Sequence, residues 1–330
     1  MTSAFFPRTR MRRNRQNQWI RDLVAETFIA PRDLILPLFV IEGKNKEEKI
    51  VNLPDVSRFS IDRIVKKAKE AKALGIPAIM LFPATDAKLK DAKGSEALNE
   101  KNLICRAISA IKSAVPEIGV IADVALDPYT THGHDGVINK NGYVLNDETI
   151  AILCEQALIQ ARAGADIIAP SDMMDGRVGV IRDYLDDNGF IDIGIMSYAA
   201  KYASSFYGPF RNAVGSNKNL KSDKKNYQMD FRNSNEAMRE ISLDVEEGAD
   251  MVIIKPAMAY LDIIARAKNE FKLPLISYHV SGEYAMLKLA AEKNILDFDA
   301  AYFESLIAMK RAGSSAIITY GEILAAQKFC

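Results

Sequence analysis

Two lysines stand where apolar runs end. Lys201 closes IGIMSYAAK (193–201), and Lys255 closes DMVIIK (250–255) with Pro256 directly behind it. A lysine is ordinarily a solvated cation with a pKa near about 10.4, so fewer than about one in a thousand is neutral at pH 7. Burial and a nearby like charge both disfavour the ammonium and lower that pKa, by several units in favourable cases. The neutral amine can attack a ketone and form a Schiff base. Lysines ending neighbouring strands, roughly 4.8 Å apart, could serve one cavity. For either lysine alone, pairing with a carboxylate for stability is the alternative reading.

Other polar residues cluster at similar places. Asp123 and Asp127 close IGVIADVAL (118–126), Ser171 and Asp172 close DIIAPSD (166–172), Tyr278 and Ser281 flank the end of PLISYHV (274–280), and Tyr320 closes SAIITY (315–320). The stretch DVALDPYTTHGHDG (123–136) adds His132, His134 and Asp135, which have the look of metal ligands. Only one further histidine exists, His279, so a histidine-rich zinc hydrolase site cannot be completed. Histidines satisfied by loop hydrogen bonds and histidines acting as ligands both remain open. After Lys201, GPFRNAVGSNKNLKSDKKNYQ (208–228) is too polar for a core and is expected to be a mobile lid. At its ends Arg211 and Lys224 could hold a substrate carboxylate, the arginine in bidentate fashion. Lys218, Lys221 and Lys225 read as solvated.

The elements that must position these groups are legible as a repeat. LILPLFVI (34–41) and AIMLF (78–82) precede the six runs already mentioned or quoted. All eight are nearly continuous in apolar residues, as strands buried on both faces should be. Helical period separates them. DRIVKKAKEAKALG (62–75) puts Ile64, Val65, Ala68, Ala71 and Leu74 on one stripe. NDETIAILCEQALIQARAG (146–164) and SNEAMREISLDVEEG (234–248) begin with capping residues and end at glycine. The joints RAGADIIAP, EEGADMVIIKP and RAGSSAIITY repeat a helix–glycine–strand turn. Eight strands separated by helices predict a (β/α)8 TIM barrel over residues 31–330. A doubly wound open sheet is disfavoured, because no GxGxxG or GxxxxGK loop follows any strand. A barrel keeps its chemistry at the C-terminal ends of its strands, where the polar residues fall.

Composition excludes several classes of function. The chain has 330 residues, 48% hydrophobic and 26% charged, with 43 basic and 43 acidic side chains. That balance points to neither nucleic acid nor an anionic membrane, and no apolar run approaches the ~18 residues of a membrane span. Cys105, Cys154 and Cys330 are scattered without CxxC spacing, which suits a reducing compartment, and a cytoplasmic protein is expected. The first 30 residues differ. FFPRTRMRRNRQNQW carries five arginines before the first acid, Asp22, with Phe5, Phe6 and Trp19 interspersed. It lacks the apolar region of a secretory signal. Residues 1–30 are read as an extended N-terminal arm that grips a neighbouring subunit, ahead of an Arg-rich transit peptide or a frayed tail.

Taken together, DVALDPYTTHGHDG, APSDMMDGRVG, SYAAKYASSFYGPFR, NYQMD, GADMVIIKPAMAYLDI, YHVSGEYAM and ESLIAMKRAG closely resemble the 5-aminolevulinate dehydratase (porphobilinogen synthase) family, from about residue 5 to 325. The resemblance implies an eight-fold barrel with an N-terminal arm, assembled as a homo-octamer. It implies condensation of two 5-aminolevulinates into porphobilinogen with loss of two waters, in tetrapyrrole synthesis. It implies that Lys255 binds the first substrate (the P side) and Lys201 the second (the A side). Ser281 and Tyr320 match groups holding the P-side carboxylate, and Arg211 and Lys224 those of the A side. Tyr278 and Ser171 are counted with the substrate-binding residues, and Asp123 is expected to assist proton transfer.

The metal pattern departs from part of that family. Zinc members carry cysteines at the positions of Ala125, Asp127 and Asp135, and three thiolates suit zinc. With Ala, Asp and Asp there, no catalytic zinc is expected, and carboxylates with water would suit Mg²⁺ or a loosely held cation. The chain resembles the magnesium-responsive branch, in which Glu240 matches an allosteric Mg²⁺ ligand, while Asp127 and Asp135 are weaker candidates for an ion. Without the family Glu240 reads as a helix-surface carboxylate. No organic cofactor is expected. His279, where glutamine is usual, and TYGEI also depart from the pattern. A one-substrate class I aldolase, which needs a single lysine, and a non-catalytic oligomeric barrel are the competing functions.

Overall fold

The computed structural model describes residues 5–215 and 223–329. Its strands are β1 (Leu34–Ile41), β2 (Glu47–Lys49), β3 (Ser57–Ser60), β4 (Ala78–Pro83), β5 (Gly119–Val124), β6 (Ile167–Pro170), β7 (Gly194–Lys201), β8 (Met251–Lys255), β9 (Leu275–Tyr278) and β10 (Ala316–Ile318). Its α-helices are α1 (Gln18–Leu23), α2 (Ile61–Ala73), α3 (Leu103–Ala114), α4 (Asn146–Arg162), α5 (Arg177–Asp187), α6 (Gly208–Val214), α7 (Asn235–Glu246), α8 (Leu261–Glu270), α9 (Ser281–Glu292), α10 (Phe298–Ala312) and α11 (Glu322–Phe329).

Eight parallel strands, β1 and β4 through β10, lie side by side in chain order, and β10 pairs back onto β1 to close a barrel. This is the (β/α)8 architecture expected from the apolar runs. Every residue of β1 is buried, because one face lines the barrel and the other meets the helical layer. On α2 the stripe holds: Ile64, Ala68 and Ala71 are buried against the sheet, with Val65 and Leu74 packed at its edge. The helix–glycine–strand joints fall at Gly164, Gly248 and Gly313, all at positive φ. A Cβ on Gly313 would also lie 2.5 Å from Lys268 Cγ, so this joint tolerates no side chain.

Several elements lie outside the eight-fold repeat, among them α6, a second helix after β9, and the arm. The first crossover contains an antiparallel hairpin, β2 with β3, whose second strand pairs with β1. The arm forms a 3₁₀ turn (Met11–Arg15) and α1, with Phe5, Phe6, Trp19, Leu23 and Phe28 exposed.

Candidate active site

The site is assembled at the C-terminal ends of β5 through β8. Lys201 and Lys255 are register partners on the adjacent strands β7 and β8. A bulge between Ser197 and Ala200 inserts one residue into β7 relative to β8. Strict two-residue alternation would send Tyr198 and Lys201, three apart, to opposite faces. The extra residue brings both to the interior: the Lys201 ammonium lies 5.8 Å and the Lys255 ammonium 5.1 Å from the Tyr198 ring centroid. Both lysines are about 95% buried, and both line one cavity with Asp123, Asp127, Asp135, Ser171, Arg211, Lys224 and Gln228.

The two amines are held differently. Lys255 sits in an aromatic cage, its Nζ 4.3 Å from the Tyr278 centroid, 4.7 Å from Phe210 and 5.2 Å from Tyr207. Burial, then the neighbouring Lys201 charge, pushes its pKa down to about 7. Lys201 instead donates to the Ser171 carbonyl and is ion-paired with Asp135 at 3.4 Å. The two amines thus share one cavity in unlike surroundings: Lys255 is ringed by aromatic faces, while Lys201 carries a carboxylate partner.

The carboxylates divide in the same way. Burial, reinforced by the Asp127 charge, pushes Asp123 up to about 7, and one of its oxygens has no hydrogen-bond partner. Asp135 is the opposite case. Burial alone would raise it, but Lys201 and Lys224 hold it well below the ordinary carboxylate range. Lys224 Nζ bridges Asp135 at 2.7 Å and Asp127 at 3.6 Å. Asp123 thus has an acid–base range suited to proton transfer near neutrality, and Asp135 is a fixed anion.

A divalent cation fits Asp127 and Asp135 poorly, because the Lys201 and Lys224 ammonium groups already balance them, and the lack of sulfur rules out a thiolate zinc site. Among the described residues no group of three or more His, Cys, Asp and Glu side chains is placed to hold a metal ion. His132 Nε2 meets the Ala92 carbonyl at 3.1 Å, and His134 Nδ1 meets the Tyr227 hydroxyl at 3.3 Å, so both histidines tie the loop together.

The stretch 208–228 is not a lid throughout. Residues 208–214 form α6, and Lys224 and Gln228 are buried, while Lys218 and Lys221 lie outside the described residues. Lys225 is exposed. Lys224 is not free to receive a carboxylate as the structure stands, because it is shared by two aspartates. On the other side of Lys255, the Tyr278 and Tyr320 hydroxyls meet at 3.2 Å, and Ser281 Oγ accepts a bond from the Phe210 N–H at 2.9 Å. The start of α9 presses against the segment before α6: a Cβ on Gly282 would lie 2.4 Å from the Phe206 carbonyl oxygen. Glu240 lies apart, in a cleft with Asp175 and Glu236.

Apart from Tyr278, the aromatic cage escaped the sequence reading. Tyr198 stands three residues before Lys201, at a spacing alternation assigns to the wrong face, and Tyr207 and Phe210 lie in a stretch too polar to suggest a wall. The one available signal was the apolar content of SSFYGPF amid that polarity.

Comparison with known proteins agrees with this geometry. The sequence profile of the family described as Delta-aminolevulinic acid dehydratase matches residues 8–328. The chain is 56% identical to a Delta-aminolevulinic acid dehydratase of Bradyrhizobium diazoefficiens, over 97% of this chain and 90% of the relative. It is 51% identical to one of Chlamydia pneumoniae, over 94% of this chain and 93% of the relative. It superposes with a TM-score of 0.95 and 48% identity, over 97% of this chain and 91% of the other, on a crystal structure of delta-aminolevulinic acid dehydratase (porphobilinogen synthase) from Toxoplasma gondii ME49 in complex with the reaction product porphobilinogen.

Proposed function

The chain belongs to the delta-aminolevulinic acid dehydratase family, and from that premise we propose how its residues divide the work. It is a lyase, a porphobilinogen synthase that condenses two 5-aminolevulinates with loss of two waters. The observation that carries the residue assignment is the unlike pair of amines in one buried cavity.

Lys255 attacks the ketone of the first substrate. Loss of water leaves an iminium within the ring of Tyr198, Tyr207, Phe210 and Tyr278, whose faces favour a cation there. Lys201 attacks the second ketone only after giving up its proton, and the same loss of water gives a second iminium. An iminium acidifies the adjacent carbon. Asp123, with its pKa at about 7, takes that proton, and the resulting enamine carbon bonds to the other iminium carbon. The amino group of one substrate displaces the lysine from the other's iminium, and the two lysine–carbon bonds break as Asp123 returns the proton to a departing amine. Asp135 keeps the A side electrostatically balanced while the lysine charge changes. The carboxylate of the A-side substrate goes to Arg211 and to Lys224, which it must draw from Asp127 and Asp135. That of the P side goes to Ser281 and Tyr320, beside Tyr278, and Ser171 steadies Asp123.

Adduct formation at Lys255 should lose its rate below pH 7, by about tenfold per unit, because protonation removes the nucleophile. Borohydride trapping with substrate across pH 5.5–9, read by mass spectrometry, checks this. A flat profile, or no adduct at all, ends the assignment.

For magnesium, Glu240 is assigned as a single protein carboxylate holding a largely hydrated ion, since among the described residues no three such side chains converge on one point. Burial, then the charges of Asp244, Asp175 and Glu236, raises its pKa against the pull of Arg177, and a divalent ion with its waters would relieve that repulsion. In this reading Mg²⁺ bound there acts allosterically, away from the lysines. Glu240→Ala is expected to abolish the Mg²⁺ response both of activity and of the thermal midpoint. A variant that responds like the parent refutes it. Assembly as a homo-octamer through the arm is supported by the exposed aromatics Phe5, Phe6, Trp19 and Phe28. A cytoplasmic location is compatible with the described residues, none of whose helices is long and apolar enough to cross a membrane.

A further inference from the structure

The cage around Lys255 depends on α6, a seven-residue helix in a chain segment of high polarity. It contributes Phe210 to the cage, Arg211 and Val214 to the cavity wall, and little of its own stability, since isolated helices of this length do not persist in water. Something else must hold it in place.

Its N-terminal side is held from within the barrel, by Ser281 and by the close approach of Gly282. Its C-terminal end is held from elsewhere. Arg58, on β3 of the hairpin, donates from Nε to the Ala213 carbonyl at 2.6 Å, across 155 residues of sequence. That carbonyl is one of those the last helical turn leaves without a partner. A guanidinium there also faces the negative end of the helix dipole. The side chain is only 16% exposed, and its other arm pairs with Glu48 on the same hairpin. Phe210, three residues before Ala213, packs edge-on against Phe82 at 5.1 Å and against Phe39 at 5.7 Å, so α6 is clamped between the barrel mouth and the hairpin.

We propose that Arg58 is a positioning residue for the condensation, and that the β2–β3 hairpin serves to hold α6 closed over Lys255 by the Arg58 to Ala213 hydrogen bond. The proposal rests on Lys255 as the first amine captured. If α6 swings out, water reaches the cage through the gap left by Phe210, and the ammonium regains hydration. Around Lys255 the charged and titratable groups are Lys201 on β7, Asp123 on β5, Asp127 and Asp135 on the loop behind it, Arg211 on α6, and the phenols of Tyr198, Tyr207 and Tyr278. Lys224 lines the same cavity, and none of these groups is replaced by a change at Arg58.

The test compares full-length Arg58→Met, Arg58→Lys and Glu48→Gln with the parent. In Arg58→Met, kcat/KM at pH 7 is expected to fall about tenfold, and the acidic limb of borohydride trapping at Lys255 to move up by roughly half to one pH unit. The thermal midpoint should stay within about 2 °C of the parent. Arg58→Lys keeps a cation at the helix end and should recover most of the activity and the pH limb. Glu48→Gln, which removes the hairpin pairs of Glu48 with Arg58 and Lys46 but leaves the Arg58 to Ala213 bond, should stay within about twofold of the parent. An unshifted limb in Arg58→Met, or an equal shift in Glu48→Gln, overturns the clamp. Absence of any Lys255 adduct in the parent would instead overturn the lysine assignment, so the two failures are distinguishable.

Discussion

Lys255→Ala is expected to lower turnover by roughly four orders of magnitude or more and to abolish the borohydride adduct of the first substrate. The cavity offers no substitute. Lys201 is engaged by Asp135 and the Ser171 carbonyl, and Lys224 by two aspartates. Lys201→Ala should be equally inactive for product yet behave differently under trapping. It should retain an adduct at Lys255, because the first capture precedes the step Lys201 performs. The limb of that trapping should also move to higher pH, since removing a neighbouring positive charge lets Lys255 hold its proton more tightly. A Lys255→Ala protein with a tenth of the parent's activity, or a Lys201→Ala protein with no adduct, would contradict the assigned order. A one-substrate aldolase is contradicted if both lysines prove essential.

Asp135→Ala is expected to cost about 3–5 kcal/mol of stability and nearly all activity, because it strands two buried ammonium groups at once. Its pKa lies well below the ordinary carboxylate range, held there by Lys201 and Lys224 against the effect of burial. A depressed carboxylate stabilises the fold above its unfolded pKa of about 3.9, and that contribution disappears as pH falls through the folded value. The parent should therefore lose stability on acidification below about pH 4, and the variant should lack that component of the loss. Chemical denaturation at pH 7 and at pH 3, inside the range where that loss develops, measures both. Equal destabilisation at the two pH values would show that the ion pairs contribute nothing. Asp135→Asn, which keeps the shape but not the charge, should be nearly as damaging, since an amide cannot neutralise two ammonium groups.

Several features were readable from residue type and order alone. The barrel followed from runs apolar on both faces, which only a sheet covered on both sides requires, and from glycines ending the helices between them. Lys201 and Lys255 were legible because charge at the end of a buried run is costly unless used. Asp127 and Asp135 were legible as carboxylates in the site, but their partner was not. Nothing in the spacing of Lys224 says that it reaches back to a loop 89 residues earlier.

Residue order alone dictates the alternation of strand and helix, the strand ends at which chemistry had to lie, and the resemblance that names the family. These are local quantities: burial preference, period and turn chemistry act over a few residues. How the two lysines differ emerges only when distant segments meet. That difference comes from a one-residue bulge that turns Tyr198 and Lys201 to the same side, from an aromatic cage closed by a short polar-flanked helix, and from a carboxylate that claims Lys201 and not Lys255. Desolvation and Coulomb interactions depend on distances between segments far apart in the chain, so the protonation of an amine is settled only when the barrel closes.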